Sequence, residues 1–269
     1  MGHGRAPRRP GHFSLLPLLL GGLLLTARPA AGFEGSASWT FVSDYLWRGS
    51  LQYLDVGQPS GQTDLWFGQA LGPGTLGLDL WSSRPLSHLT EVHRQIGNAL
   101  ELIPTLDYTV PLIEEVLELT VGFTLYTWPR AEQPEVTEEA EAVVFCGEEL
   151  NLGAAYATDW VDLEAKLAVD FRLLQGAYLE LQLSHGFELS ERLSVTPGLL
   201  LGGGHYLLDE LDPWLREVTP SVALEFAPVE GVLLGLAAGW TFGDPLGQDS
   251  TESFVSQRAW GSCVAGVEF

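Results

Sequence analysis

The chain has 269 residues, 46% of them hydrophobic, and carries 35 acidic against 13 basic side chains, a formal net charge of −22. A protein so acidic offers no electrostatic footprint for nucleic acid. Its two cysteines, Cys146 and Cys263, exclude a disulfide scaffold, and its length suits one large domain.

Residues 1–32 read as a secretory signal peptide. Arg5, Arg8 and Arg9 form a positive n-region, Leu15 to Leu25 an apolar h-region, and Ala30-Ala31-Gly32 a small-residue cleavage site just before Phe33. The apolar run is too short to span a bilayer comfortably as a helix. Removing this segment takes away four arginines (Arg5, Arg8, Arg9, Arg28) and leaves 9 basic against 35 acidic side chains, or −26. Beyond it, Gly, Pro or charge interrupts every apolar run within a few residues. If the mature part, residues 33–269, is in a membrane, it must be a closed β-barrel, because backbone groups in lipid need internal partners.

In chain order, about twelve strands are predicted, taking segments of roughly 9–11 residues as the spanning unit. The first, Ser36 to Arg48, sets Trp39, Phe41, Tyr45 and Trp47 against Thr40, Asp44 and Arg48. Gln58-Pro59-Ser60-Gly61 supplies turn chemistry. Thr63 to Leu71 is the least cleanly patterned strand. Gly72-Pro73-Gly74 turns the chain into Thr75 to Ser83, and a polar stretch precedes Leu100 to Val110. Pro111 to Val116 turns into Leu117 to Trp128, and an acidic loop, Pro129 to Ala142, leads to Glu148–Thr158. A short turn at Asp159-Trp160 opens the clearest hairpin. There Val161, Leu163, Ala165, Leu167, Val169 and Phe171 alternate with Asp162, Glu164, Lys166, Ala168 and Asp170. After a break at Arg172 to Gly176, Leu179, Leu181 and Leu183 alternate with Glu180, Gln182 and Ser184. Period-2 alternation means a strand with one face in an apolar medium and one face wet. Glu188 to Arg192 turns into Leu193–Leu201, and Gly202-Gly203-Gly204 is predicted to open a long loop through Trp214. Glu217 to Phe226, a turn at Ala227–Gly231, Val232 to Phe242, a last long loop and Arg258 to Phe269 complete the chain.

Connections after strands two, four, six, eight and ten are short and most others long, the asymmetry of outer-membrane barrels. On the last strand Cys263, Ala265, Val267 and Phe269 share a face, and the chain ends on Phe269, an aromatic terminus of the kind that barrel-assembly machinery reads. This order sets Cys146 and Cys263 about half a barrel apart, so free or buried thiols are expected.

Val42-Ser43-Asp44-Tyr45-Leu46-Trp47-Arg48-Gly49, just after the signal peptide, resembles the SDY-x-x-RG signature that opens the TorF-like porin family of proteobacterial outer-membrane proteins. Gly77 to Ser83 resembles that family's third strand. Asn151 to Asp170 and Gly176 to Glu180 resemble its middle. The chain departs after Arg48-Gly49, where Ser50-Leu51-Gln52 replaces an Ile/Val-Ser-Gln run. The resemblance implies a barrel and a porin role, and no particular substrate.

With the apolar parity outward, the lumen-lining candidates are Asp44, Arg48, Asp79, Asp107, Glu118, Asp162, Glu164, Lys166, Asp170, Glu180 and Glu225. Glu101, Glu149, Glu217, Glu268 and Arg258 share their parity. A narrow, hydrated, acidic pore favours cations. The alternative is that these residues are the polar face of a barrel plugged by its own side chains, which would make the protein a structural or surface-binding barrel. An enzyme needs a Ser–His pair or an acid cluster at one rim. His88, His93, His185 and His205 show no such spacing, and Asp209, Glu210 and Asp212 lack the spacing of a calcium loop. The sequence therefore predicts an all-β, antiparallel transmembrane barrel in the outer membrane of a Gram-negative bacterium. It is expected to be a non-enzymatic diffusion channel without cofactor or metal. Its expected partners are outer-membrane lipid, the barrel-assembly machinery and small cationic or neutral solutes.

Overall fold

Each alternating run forms a strand, and the strands pair in sequence order. A computed structural model describes residues 33–44, 46–47, 50–51, 59–86, 100–127, 146–172, 175–206, 215, 217–243 and 256–269. The segment read as a signal peptide lies outside these residues, as do Tyr45, Arg48, Gly49, Gln58, His88, His93, Asp209, Glu210 and Asp212. The barrel strands are β1 (Phe33–Val42), β2 (Ser60–Leu71), β3 (Gly74–Pro85), β4 (Glu101–Ile113), β5 (Leu117–Thr127) and β6 (Cys146–Ala157). They continue as β7 (Asp162–Asp170), β8 (Gly176–Ser184, resumed at Phe187–Ser190), β9 (Leu193–Tyr206), β10 (Glu217–Val229), β11 (Val232–Gly243) and β12 (Ser256–Glu268). Every pairing is antiparallel, and β1 pairs with β12 from Ser36↔Glu268 to Val42↔Ser262. The result is a closed twelve-stranded antiparallel β-barrel.

Register shows what each face carries. One row crosses six strands as Leu76, Tyr108, Val121, Leu152, Leu167 and Leu179. All of these but Tyr108 are exposed apolar side chains. The adjacent row, one residue along each strand, reads Gly77, Asp107, Gly122, Asn151, Ala168 and Tyr178. There Asn151, Ala168 and Tyr178 are buried. Because side chains alternate, the one-residue step exchanges the outer surface for the barrel interior. The buried polar set (Glu149, Asp170, Glu217, Thr219 and Thr241 among it) is larger than the buried apolar one, so the fold is apolar outside and polar inside.

The short connections are Gly72–Pro73, Glu114–Val116, Thr158–Val161, Glu191–Arg192 and Glu230–Gly231, all at one rim. Gly72 (φ 61°) and Gly231 (φ 73°) hold left-handed turn positions that a side chain would strain. At the third turn the Thr158 hydroxyl donates to the Val161 carbonyl and accepts the Val161 N–H. Phe33, the first described residue, and Phe269 both reach this rim. Phe269 and Gly35 exchange backbone hydrogen bonds, and the Phe269 ring lies over Gly35. With Phe67 (ring centroids 6.5 Å away) and Phe33 it forms an outer aromatic cluster at the β1–β12 seam.

Several predicted boundaries are corrected. The first strand stops at Val42 rather than Arg48. Ser43 donates its N–H to Gly261, its hydroxyl accepts the Gly261 N–H, and the chain bends at Ser43–Asp44. Leu46–Trp47 instead pairs with Ser50–Leu51 as a separate small hairpin. Ser60 and Gly61, read as turn residues, open β2. Pro111 to Ile113 and Ala227 to Val229 belong to strands, carried there by register shifts, irregularities of the kind that tolerate proline. Phe187–Ser190 is likewise strand, which narrows that turn to Glu191–Arg192.

The largest correction concerns Gly202-Gly203-Gly204, which lies inside β9 and does not open a loop. Tyr178 of β8 fills the space that side chains there would occupy. A Cβ on Gly202 would collide with the Tyr178 hydroxyl, and one on Gly204 would come within 2.8 Å of the Tyr178 Cα. Gly202→Val should therefore displace Tyr178 and destabilise the barrel by about 1–3 kcal/mol. Adding Tyr178→Ala should recover part of that loss in a denaturant titration. Independent, additive effects of the two substitutions would refute the steric account.

Candidate functional site

The interior divides into two walls of different chemistry. On the first, β2 and β3 place Asp64 opposite Trp81 and Trp66 opposite Asp79, so the two carboxylates are diagonal neighbours. Asp107 of β4 lies opposite Gly77 and near Asp79. A Cβ on Gly77 would sit 2.6 Å from the Asp107 carboxylate, so glycine there gives that side chain its room. Asp79 feels Asp64 and Asp107 as negative neighbours and Lys166 as a positive one. Below and beside this cluster, hydroxyls tie the strands together: Thr105 to Thr124 and Thr109 to Thr120, each at 2.8 Å. Asn151 donates to Thr124 at 2.8 Å.

The second wall is built by β5 and β7–β12 around a cavity of about 490 Å³. Tyr126 donates to Glu149 at 3.2 Å, and Tyr178 reaches across β9 to donate to Glu217 at 2.6 Å. Trp260 lies against Gly239, where a Cβ would come within 2.6 Å of the indole, and donates its Nε1–H to Thr241 at 3.2 Å. Thr219 donates to the same Thr241 hydroxyl at 2.9 Å. Lys166 stands opposite Glu180 across β7–β8, and both line the cavity.

The remaining sequence candidates fall in three places. Glu164 sits on the interior face between Ala155 and Gln182, and Glu225 between Ser194 and Gly235. Glu118 and Asp162 occupy the same face beside the short turns, where Glu118 is exposed. Asp44 lies in the bend after β1, and Arg48 lies outside the described residues. Asp170 serves the connection that follows it, since its carboxylate accepts the N–H of Arg172 at 2.9 Å and of Gln175 at 3.4 Å. Arg172 in turn pairs with Glu148 at 2.8 Å in an exposed ion pair that adds little stability. His185 packs edge-on against Phe187 at 4.6 Å, and His205 is exposed on β9. Cys263 is a free thiol. Among the described residues, no three His, Cys, Asp or Glu side chains converge as a metal site.

Sequence reading missed Asp64, Trp66 and Trp81 on the acidic wall, and Tyr126, Tyr178 and Trp260 around the cavity. A weak signal for the first group was present, because Asp64 and Trp66 are two apart and so share a face. Aromatic residues had been assigned outward as lipid-facing, so the inward ones were not sought.

The fold and its interior define the class: a closed twelve-stranded antiparallel β-barrel, polar within and apolar without. A scan against protein-family models finds no match, and neither does a search of curated proteins. Among solved structures the chain is similar to the KdgM porin, with a TM-score of 0.51 and 10% identity, covering 87% of this chain and 99% of that one. It is also similar to the COG4313 outer membrane channel from Pseudomonas putida F1, with a TM-score of 0.51 and 11% identity over 90% and 97% of the two chains. At such identities the likeness is one of fold.

Proposed function

We propose that the protein is a porin-like channel of the outer membrane, passing small solutes by diffusion with a preference for cations. The observation that carries this reading is the barrel interior, which is acidic and incompletely filled. It holds a cavity of about 490 Å³ together with Asp64, Asp79, Asp107, Glu164, Glu180 and Glu217. Lys166 and Arg258 are the opposing charges on that face among the described residues. Among the described residues, four buried polar atoms inside, on Asp64, Asp79, Asn151 and Arg258, have no protein partner. Buried polar atoms left so are costly, and water in a wet lumen would relieve them. The apolar outer face and the aromatic cluster around Phe269 suit lipid, and Phe269 suits the assembly machinery's recognition of a terminal aromatic strand. The TorF-like resemblance at Ser43-Asp44-Tyr45 and Arg48-Gly49 is part of the same proposal.

A second reading has its own observation. Trp66, Trp81, Tyr126, Tyr178 and Trp260 all share the interior face and consume space there, which favours a closed barrel with a structural or surface-binding role. Refolded protein in planar bilayers separates the two. The channel reading expects stepwise single-channel conductance in potassium chloride. Correctly folded, heat-modifiable protein that gives no steps would remove the channel and leave the closed barrel. Recovery of the mature protein as a soluble periplasmic species would remove both.

A further inference from the structure

We infer that Lys166 sets the strength of the lumen's cation preference, as a fixed positive charge standing in the space that ions cross. The inference deepens the channel reading and rests on it, because it names what regulates selectivity in the same lumen.

Lys166 is the only lysine in the chain, and the other 12 of its 13 basic side chains are arginines. It lies on the interior face of β7, between Gly153 of β6 and Glu180 of β8, and yet it is exposed. An exposed side chain on an inward face has open space around it. Among the described residues no ion pair of 4.0 Å or less joins it to Glu180.

The strands beside it explain the space. From Lys166 the paired row crosses β6, β5, β4 and β3 as Gly153, Thr120, Thr109 and Thr75. None of these is larger than threonine, and the Thr109 and Thr120 hydroxyls are bonded to each other at 2.8 Å. With no side chain at Gly153, the aliphatic stem of Lys166 has room to lean over β6 toward the acidic wall. Asp79, four strands away on β3, has Lys166 as its positive neighbour and Asp64 and Asp107 as negative ones. Lysine suits this place, since its compact ammonium rides on a flexible stem, whereas an arginine fork favours bidentate pairing with one carboxylate.

An ion in this space is thus held between carboxylates on β2 to β4 and one ammonium on β7. At roughly 10 Å in water a unit charge changes the local concentration of a monovalent ion about twofold, raising one sign and lowering the other. Lys166 therefore subtracts from the preference that the acidic wall creates.

The test uses the mature barrel refolded in planar bilayers and in micelles of an uncharged detergent. Lys166→Met keeps much of the stem and removes the charge. In dilute salt gradients it should raise the potassium-over-chloride permeability ratio about twofold to fourfold. Lys166→Arg should stay near wild type. The single lysine also gives a readout that needs no conductance. A water-soluble acylating reagent should modify Lys166 in the folded barrel, adding one acyl group more than Lys166→Arg accepts, since the N-terminal amine reacts in both. Acylated wild type should then match Lys166→Met in bilayers. An unreactive Lys166 in folded, heat-modifiable protein would overturn the inference, as would a ratio for Lys166→Met at or below that of wild type. Conductance with an unchanged ratio removes the role of Lys166 and leaves the channel. Acylation of Lys166 in a barrel that never conducts removes the channel and the selectivity role with it, leaving a wet but closed lumen.

Discussion

Leu167→Arg should destabilise the barrel by about 2–4 kcal/mol, the cost of an arginine on the lipid face near the bilayer midplane. Leu167 sits in the middle of β7, between Leu152 of β6 and Leu179 of β8 in the outward apolar row. Flanked by leucines on both sides, a guanidinium there has no nearby polar partner. Glu164→Arg, on the interior face of the same strand between Ala155 and Gln182, should cost far less because that face is wet. Glu180 is a poorer control, since an arginine there would stand opposite Lys166 and add like-charge repulsion. The measurement is the midpoint of a guanidinium unfolding titration of protein inserted in lipid vesicles. Equal losses for Leu167→Arg and Glu164→Arg would mean that the lipid-facing and interior faces have been exchanged.

That comparison draws on the part of the fold that was most legible. From Val161 to Phe171 every second residue is apolar, and a strand with that pattern has one face in each medium whatever it pairs with. The short turns were legible for a similar reason, since Gly72-Pro73 and Glu230-Gly231 interrupt the alternation with residues suited to turns. Other boundaries were hidden by particular contacts. Ser43 reads as one more residue on a continuing strand, and only its bonds to Gly261, 218 positions away, show where the strand gives out. Gly202-Gly203-Gly204 reads as a loop because glycine is a poor strand former, yet here the missing side chains admit Tyr178. Leu199-Leu200-Leu201 hides its alternation altogether, since Leu200 lies in the interior row with Gln182 and Thr219.

The site was legible as a charge and not as a shape. Parity located carboxylates such as Asp79, Asp107, Glu164 and Glu180, because charge and lipid are incompatible and the wet face is the only alternative. It carried no information on which strands face one another across the lumen, and so the acidic wall of Asp64, Asp79 and Asp107 and the aromatic cavity opposite were not separable. It also gave Asp170 the same standing as the others. That carboxylate holds the backbone of Arg172 and Gln175, and its removal would loosen a connection as well as change the charge.

Neutralising the acidic wall should therefore have a larger and cleaner effect on selectivity than neutralising β7. Asp64, Asp79 and Asp107 occupy three adjacent strands, with Asp64 and Asp79 in side-chain contact across β2 and β3. A passage lined by one sign of charge raises the local concentration of counter-ions by about tenfold or more at low ionic strength. With a Debye length of about 10 Å at 0.1 M, the whole wall acts on an ion in the lumen, whereas at 1 M the length falls to about 3 Å and only close contacts count. On the channel reading, the wild type should thus show a reversal potential on the cation side in dilute potassium chloride gradients and lose much of it in concentrated ones. The triple change Asp64→Asn, Asp79→Asn and Asp107→Asn keeps the side-chain shapes and should move the dilute-salt reversal potential most of the way to zero. The paired change Asp162→Asn and Glu164→Gln on β7, toward the short-turn rim, should move it less. Anion preference in the wild type would refute a cation-selecting lumen. A triple variant that keeps the full wild-type preference would show that the selecting charges lie elsewhere than on β2 to β4.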